Sequence, residues 1–464
     1  MRSWRELFAR WHPSKWKVAG FVGFVVGIAL CISLSTTDGE ARGQEFSPLS
    51  QSINQLQLQW PELFPATHST QPTSASATRQ PNAVTPEEPV DMEPDVFLDR
   101  TIARAVAPIP EQKTPEARIA LDHGESIEFS IDPALQEGID KLFLDYHPVA
   151  GAFVAMNPKT GEILAMSGYD DGALAPHIAL RSIGPAASIF KIITAAALLE
   201  EADVDPRQSV CYHGGRRGVS MKLLKPNPSR DNRCDTIGQA MGKSANVVFA
   251  RLADQNLSKR TLQDVADRFA FNEVIPFFWP VDISRAAIPD DRLERAQTAA
   301  GFHNSRMSAL HAALIASTIA NKGKMPRPTI VRSVSAKDGA NVYRHVPDTL
   351  NKVISARTAR DITQMMRKTI DGGTATRYFR RLPSRFKDVP IAGKTGSLSF
   401  KRENGQTVHC SWFVGFAPAD NPQIAVASVV LNEPKWTVKA TTLGRFAIQN
   451  FLETRPLQGI AKNP

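Results

Sequence analysis

Three short groups of residues carry side chains that could act together on a carbonyl carbon: Ser188-Ile-Phe-Lys191, Ser244-Ala-Asn246 and Lys394-Thr-Gly396. A serine hydroxyl is a weak nucleophile and needs a base. A lysine three residues further along a helix lies on the same face, one turn away. It can be that base if burial and a nearby positive charge keep it neutral. The start of a helix adds backbone N–H groups able to hold a developing oxyanion. Each group alone is unspecific, and an isolated Ser188 and Lys191 would read as a helix cap and a solvated lysine. SxxK also occurs at Ser14–Lys17 and Ser384–Lys387, SxN at Ser52–Asn54 and KTG at Lys159–Gly161.

The elements around each group separate them. Ser188 follows Gly-Pro-Ala-Ala, a helix-start signal, and opens the apolar segment 189–202. Lys159–Gly161 instead forms the turn of a hairpin between GAFVAMN (151–157) and EILAMSG (162–168). The middle section, about 186 to 375, has mostly helical spacing, clearest at 189–202 and 308–323. Three strands follow, 392–400, 407–417 and 424–431, turned by Glu-Asn-Gly and Ala-Asp-Asn-Pro, and a helix from about 439 to 453 closes the chain. Strands at both ends with helices between them predict an α/β (α+β) fold. One antiparallel sheet is flanked by helices, with a mainly helical subdomain inserted.

Length alone, 464 residues, suggests about three domains, but the N-terminal quarter reads differently. Residues 1–17 carry Arg2, Arg5, Arg10, Lys15 and Lys17 against Glu6, and no charge occurs from Val18 to Thr37. This predicts a cytoplasmic basic tail and one transmembrane signal anchor over 18–37, with the remainder extracytoplasmic. A cleaved signal peptide is the alternative. Residues 38–125, rich in Pro, Ser and Thr, read as a largely disordered linker. Residues 126–455 form one folded unit and 456–464 a tail. The net charge of +9 raises nucleic acid as a partner. Its concentration beside the anchor and near Lys394 argues against that. Four cysteines with no CxxC, and no HExxH, support neither a disulfide scaffold nor a metal site.

The three groups in this order resemble the penicillin-binding protein transpeptidases, class B-like members of the penicillin-recognising serine enzyme superfamily. The likeness covers about 126–455. It extends to NPKTGEILAM (157–166), FKIITAAALLE (190–200), SANVVFARLA (244–253), IANKGKMPRPTIV (319–331), GGTAT (372–376) and SWFVGFAPADNPQIAVASVVL (411–431). It implies a β-lactamase/transpeptidase-like fold and peptidoglycan D,D-transpeptidation. By position, Ser188 would be the acylated nucleophile and Lys191 its base. Ser244, in contact with Lys191, would relay a proton to the leaving group, and Asn246 would bind the substrate backbone. Lys394, Thr395 and Ser397 would hold the terminal carboxylate, with Lys394 also keeping Lys191 neutral. The N–H groups of Ser188 and Ser397 would form the oxyanion hole, while Gly393 and Gly396 permit close approach. Ser397 stands where class B members more often have threonine. The implied partners are stem peptides, β-lactams, membrane lipid around the anchor and a separate membrane glycosyltransferase, and no cofactor is implied.

A D,D-carboxypeptidase or β-lactamase, in which water resolves the acyl-enzyme, is the competing enzyme reading, and a non-catalytic β-lactam sensor or scaffold a third. Cys211 and Cys234 flank a Gly-, Pro- and Arg-rich loop. An extracytoplasmic location favours a bridge between them, but two free thiols remain open. Cys410 reads as a buried small hydrophobe. Residues 377–402 form a basic run containing only Asp388 as an acid, read either as a solvated surface or as an attractor of anionic stem peptides or lipid headgroups. Gly301-Phe302-His303 lacks the second glycine of the family's Gly-x-Gly, and His303 has no assigned role.

Overall fold

The structure, a computed structural model, describes residues 117–121, 124–215, 218–402 and 405–455. The basic tail, the anchor at 18–37, the C-terminal tail and all of the linker but its last few residues lie outside the described residues. No helix among the described residues is long and apolar enough to cross a membrane.

The central sheet takes strands from both ends of the described region. They are β1 (Ala150–Met156), β2 (Ile163–Asp170), β3 (Ala392–Lys401), β4 (Thr407–Ala417) and β5 (Ile424–Asn432). Their order is β3-β4-β5-β1-β2, antiparallel throughout, with the short strand Ala173–Leu174 beyond β2. β1 and β2 are joined by the anticipated Pro-Lys-Thr-Gly turn. The seam between the two halves of the sequence is β5 against β1, where Ala427 opposes Val154. All nine residues of β5 are buried. Its apolar run without alternation is what a strand covered on both faces requires.

Seven helices matter to the site: α1 (Pro133–Tyr146), α2 (Lys191–Glu200), α3 (Ile237–Lys243), α4 (Asn246–Asn256), α5 (Ala309–Ala320), α6 (Ala356–Asp371) and α7 (Ala440–Thr454). α1 and α7 cover one face of the sheet, where Phe143, Phe153, Phe413, Leu443, Ile448 and Phe451 form a common core. α5 lies against β1, β4 and β5, and every one of its residues is buried. A helix apolar all round has no solvent face to offer, so it becomes an interior element. Ser308 caps it by accepting from His311 N at 3.1 Å.

The middle section is less uniformly helical than its spacing predicts. Strand pairs occur at Ser209–Tyr212 with Arg233–Thr236 and at Lys324–Pro326 with Thr349–Lys352. A second antiparallel sheet joins Arg118–Ala120, Ser126–Phe129, Val331–Ser335 and Asn341–Arg344. These strands have three to five residues, too few to establish an alternating pattern, and several find partners far away in sequence. The strand at Arg118–Ala120 lies within the stretch read as linker. α1 was also not singled out from the sequence, although Asp132 caps it at Leu135 N and proline occupies its first turn.

In the Ser209–Tyr212 pair, Cys211 directly opposes Cys234 and the two are bonded, closing a loop with a sequence separation of 23. Buried Arg251 of α4 binds the loop from beneath. It donates to Leu223 O at 2.6 Å, Cys211 O at 2.7 Å, Lys225 O at 3.1 Å and Asp231 Oδ2 at 2.8 Å. The Arg251 guanidinium, followed by the bonds from His213 and the Asn227 N–H, holds the Asp231 carboxyl well below the usual carboxylate range. Replacing both cysteines by serine should cost roughly 2–4 kcal/mol by freeing the loop in the unfolded chain. Thermal unfolding with and without reductant checks this, and identical midpoints would show that the bridge adds nothing to the Arg251 contacts.

Candidate active site

Ser188 does not open an α-helix directly. It lies in a single 3-10 turn, Ala187–Phe190, and Lys191 is the first residue of α2. The turn is entered through Ala187 at φ +49°, a left-handed conformation that costs a side-chain-bearing residue energy and persists only when its surroundings fix it. They do so from three sides. Trp412 Nε1 of β4 donates to Pro185 O at 2.8 Å, and Ala186 N donates to Ser305 O at 3.0 Å. Behind the turn, Gly301 at φ +82° leaves no room for a side chain, since a Cβ there would fall 2.3 Å from Ala187 O. Ser188 itself remains partly accessible.

Lys191 is fully buried, and its Nζ has three oxygen neighbours: Ser188 Oγ at 2.7 Å, Asn246 Oδ1 at 2.8 Å and Ala300 O. Two of them are carbonyl oxygens that can only accept. A neutral amine has two N–H donors and one lone pair, so donating to Asn246 and Ala300 leaves the lone pair for the Ser188 hydroxyl proton. Burial, reinforced by the charge of Lys394, pushes the Lys191 amine well below the usual lysine value. No carboxylate among the described residues is ion-paired with either lysine. Thr194, one turn further along α2, donates to Ala299 O at 2.7 Å and so holds the residue before the one whose carbonyl Lys191 uses.

The Ser244-Ala-Asn246 group is a corner between two helices. A capping box of Thr236 and Gln239 starts α3. Ser244 ends it at φ 56°, and Asn246 is the first residue of α4. Asn246 is engaged inside the protein at both ends, with Oδ1 accepting from Lys191 and Nδ2 donating to Gly215 O at 3.3 Å, on the disulfide-closed loop. Ser244 differs from expectation. Its hydroxyl accepts from Lys394 Nζ at 3.0 Å, and Lys191 is not among its hydrogen-bond partners. The three oxygens already around Lys191, two accepting and one donating, fill its bonding capacity.

Lys394 reaches Ser244 from β3, also fully buried, and donates to Thr395 O at 2.7 Å. Burial pushes its amine down to about 7. β3 is the edge of the sheet, with one side open. Phe413 O, opposite Thr395, accepts from Ser428 on β5 and so faces away from β3. Thr395, and Ser397 two residues on, therefore present their backbone polar groups to the open side. Gly396 packs against the nucleophile turn, where a Cβ would sit 3.3 Å from Ala187 Cβ.

The sequence-selected residues thus form two linked sets: Ser188, Lys191 and Asn246 in one, Ser244, Lys394 and Thr395 in the other. Cys211 and Cys234 lie outside both and shape the loop that contacts Asn246. Three participants were not assigned from sequence. Ala300 acts through its backbone, which residue type does not reveal. Trp412 acts through its indole N–H. Thr374, within the GGTAT segment, shares a 2.5 Å hydrogen bond with Thr395 Oγ1, while its own N–H donates to Gly242 O at the end of α3. Among the described residues no group of three or more His, Cys, Asp or Glu could hold a metal ion.

Comparison with known proteins places this geometry. A peptidoglycan D,D-transpeptidase, PbpA, of Mycobacterium tuberculosis is 26% identical over 372 residues, covering 72% of this chain and 74% of that protein. Stage V sporulation protein D of Bacillus subtilis is 27% identical over 340 residues, covering 69% of this chain and 51% of that one. Among solved structures, the D,D-transpeptidase domain of a peptidoglycan glycosyltransferase from Eggerthella lenta superposes with a TM-score of 0.59 at 25% identity, covering 70% of this chain and 82% of that one. Penicillin-binding protein A of M. tuberculosis, as a ceftriaxone acyl-enzyme complex, shares the fold with a TM-score of 0.57 at 23% identity, covering 77% and 84%. Residues 151–444, which hold every candidate group described above, match the penicillin binding protein transpeptidase domain, and the chain belongs to that family.

Proposed function

We propose that this protein is a peptidoglycan D,D-transpeptidase that joins stem peptides through an acyl-Ser188 intermediate, and that β-lactams block it at the same atom. The observation that carries this reading is the buried Lys191 amine, its N–H groups taken by two carbonyl oxygens and its lone pair left for Ser188 Oγ at 2.7 Å. Lys191 takes the hydroxyl proton as Ser188 Oγ bonds to the penultimate D-Ala carbonyl carbon. The N–H groups of Ser188 and Ser397 receive the oxyanion. Ser244, bonded to Lys394, delivers a proton to the departing D-Ala nitrogen as the C–N bond breaks. Lys394, Thr395 and Ser397 hold the terminal carboxylate, and a bound carboxylate favours the protonated form of Lys394. An amine of a neighbouring stem then attacks the ester and its proton passes to Ser244 in place of the one delivered, while Lys191 returns its proton to Ser188 Oγ as the acyl C–O bond breaks.

The uncharged run at 18–37 behind a basic tail supports anchorage in the cytoplasmic membrane, with the N-terminus inside and the catalytic unit outside. In that setting a separate glycosyltransferase would supply the glycan strands. A purified chain given labelled stem pentapeptide and an amine acceptor should yield cross-linked product. Trimmed tetrapeptide alone would instead mark a carboxypeptidase, and turnover of β-lactam a β-lactamase.

Fluorescent penicillin should label Ser188 alone. Ser188→Ala should abolish labelling with thermal unfolding retained, and persistent labelling would refute the assignment. Lys191→Ala should slow acylation by roughly 10²–10⁴-fold. The acylation rate should fall with falling pH as Lys191 gains the proton that its burial resists, and be highest above its depressed pKa. An acylation rate that does not fall at any acid pH at which the protein stays folded would remove Lys191 as the base.

A further inference from the structure

The basic run after the GGTAT segment is only partly used by the active site and by ion pairs. Lys394 belongs to the catalytic set, Arg385 pairs with Glu453 at 3.3 Å and Arg402 with Asp170 at 3.8 Å. Arg377 and Arg381 have no ion pair among the described residues. Together with Lys439 they line a cavity of about 380 Å³ between the end of α1, the turn Thr376–Phe379 and the start of α7. Tyr146, Tyr378 and Trp436 give it aromatic walls, and no acidic residue lines it.

Two features show that the charges of Arg377 and Lys439 are held in place without being neutralised. The Arg377 guanidinium lies 4.9 Å over the Tyr378 ring and donates to its hydroxyl at 3.0 Å. The Lys439 ammonium lies 4.5 Å over the Trp436 ring, which is itself stacked on His409. An aromatic face orients a cation and leaves its charge available. The cavity also adjoins the N-terminus of α7, a helix of 15 residues. Apart from Ser411 Oγ, which accepts from Ala440 N at 3.0 Å, no side chain caps that end. Its partial positive charge adds to the three cations.

We propose that this cavity is a binding site for a phosphate group, gripped by Arg377, Arg381 and Lys439. Three cations and a helix end exceed what one carboxylate, with a single charge and two oxygens, would balance. A phosphate brings up to two charges and more acceptor oxygens, and guanidinium forks match it bidentately. The volume lies in the range of small-ligand pockets, leaving space for a group attached to the phosphate. A phospholipid headgroup and free phosphate offer the same chemistry.

The test uses the full chain in non-ionic detergent, titrated with inorganic phosphate and, separately, with nanodiscs of phosphatidylglycerol or of phosphatidylcholine. Arg377→Ala with Arg381→Ala should weaken binding by roughly tenfold or more, as should Lys439→Gln to a smaller degree. Arg357→Ala with Arg360→Ala removes the same charge from α6 and should leave binding unchanged. Penicillin labelling of Ser188 in every variant confirms that each is folded. Site-dependent binding of phosphate identifies a free ligand, and site-dependent preference for phosphatidylglycerol discs identifies a headgroup; both support the site. Absence of binding to either probe, or equal weakening by the α6 variant, overturns it.

Discussion

The geometry of the centre depends on keeping one amine dry. Lys191 has no carboxylate among the described residues to neutralise it, so burial disfavours its charge, and the neutral form has a fixed complement of two donors and one lone pair. That complement draws together three segments far apart in sequence: the turn at Ser188, the helix corner at Asn246 and the backbone at Ala300. Each is then fixed by a further contact. Trp412 holds Pro185, Thr194 holds Ala299, and Gly215 holds Asn246. The interleaved sheet, with β5 paired to β1, is what lets distant segments be aligned about one atom.

A second buried lysine extends this logic. Lys394 is bonded to Ser244 and to its own strand, while its positive charge helps to keep Lys191 neutral. Two like charges cannot both be maintained cheaply in a dry site. On the proposed mechanism one amine serves as the base, while the other, with its pKa lowered to about 7, gains a proton when an anion arrives. Ser188 is bonded to one lysine and Ser244 to the other, and the roles proposed for the two hydroxyls rest on that difference.

What could be read from sequence was what depends on side-chain type or on long apolar runs. Ser188, Lys191, Ser244, Asn246 and Lys394 stood out because their chemistry is in their side chains. β4 and β5 stood out because 9 to 11 residues of strand pattern lie between recognisable turns. The short strands around Cys211 and Cys234 gave no period to detect. Ala300 contributes a carbonyl, and Ala187 a backbone angle, neither visible in a residue name. The Ser244 partner was misplaced because choosing between two lysines needs three-dimensional distances.

The open side of β3 has a consequence beyond catalysis. An unpaired edge strand is a template on which any extended chain, including another copy of this protein, can add a strand. The edge beside Ser188 cannot be covered without closing the site, so discrimination falls to the strand's own side chains. Ser397, Ser399 and Lys401 are exposed in alternation, and Arg402 follows directly. A row of hydroxyls ending in two cations gives an apolar strand no surface to bury, and rewards a short extended peptide that ends in a negative charge. On the proposed function, the residues that protect the protein from itself are also those that admit its substrate.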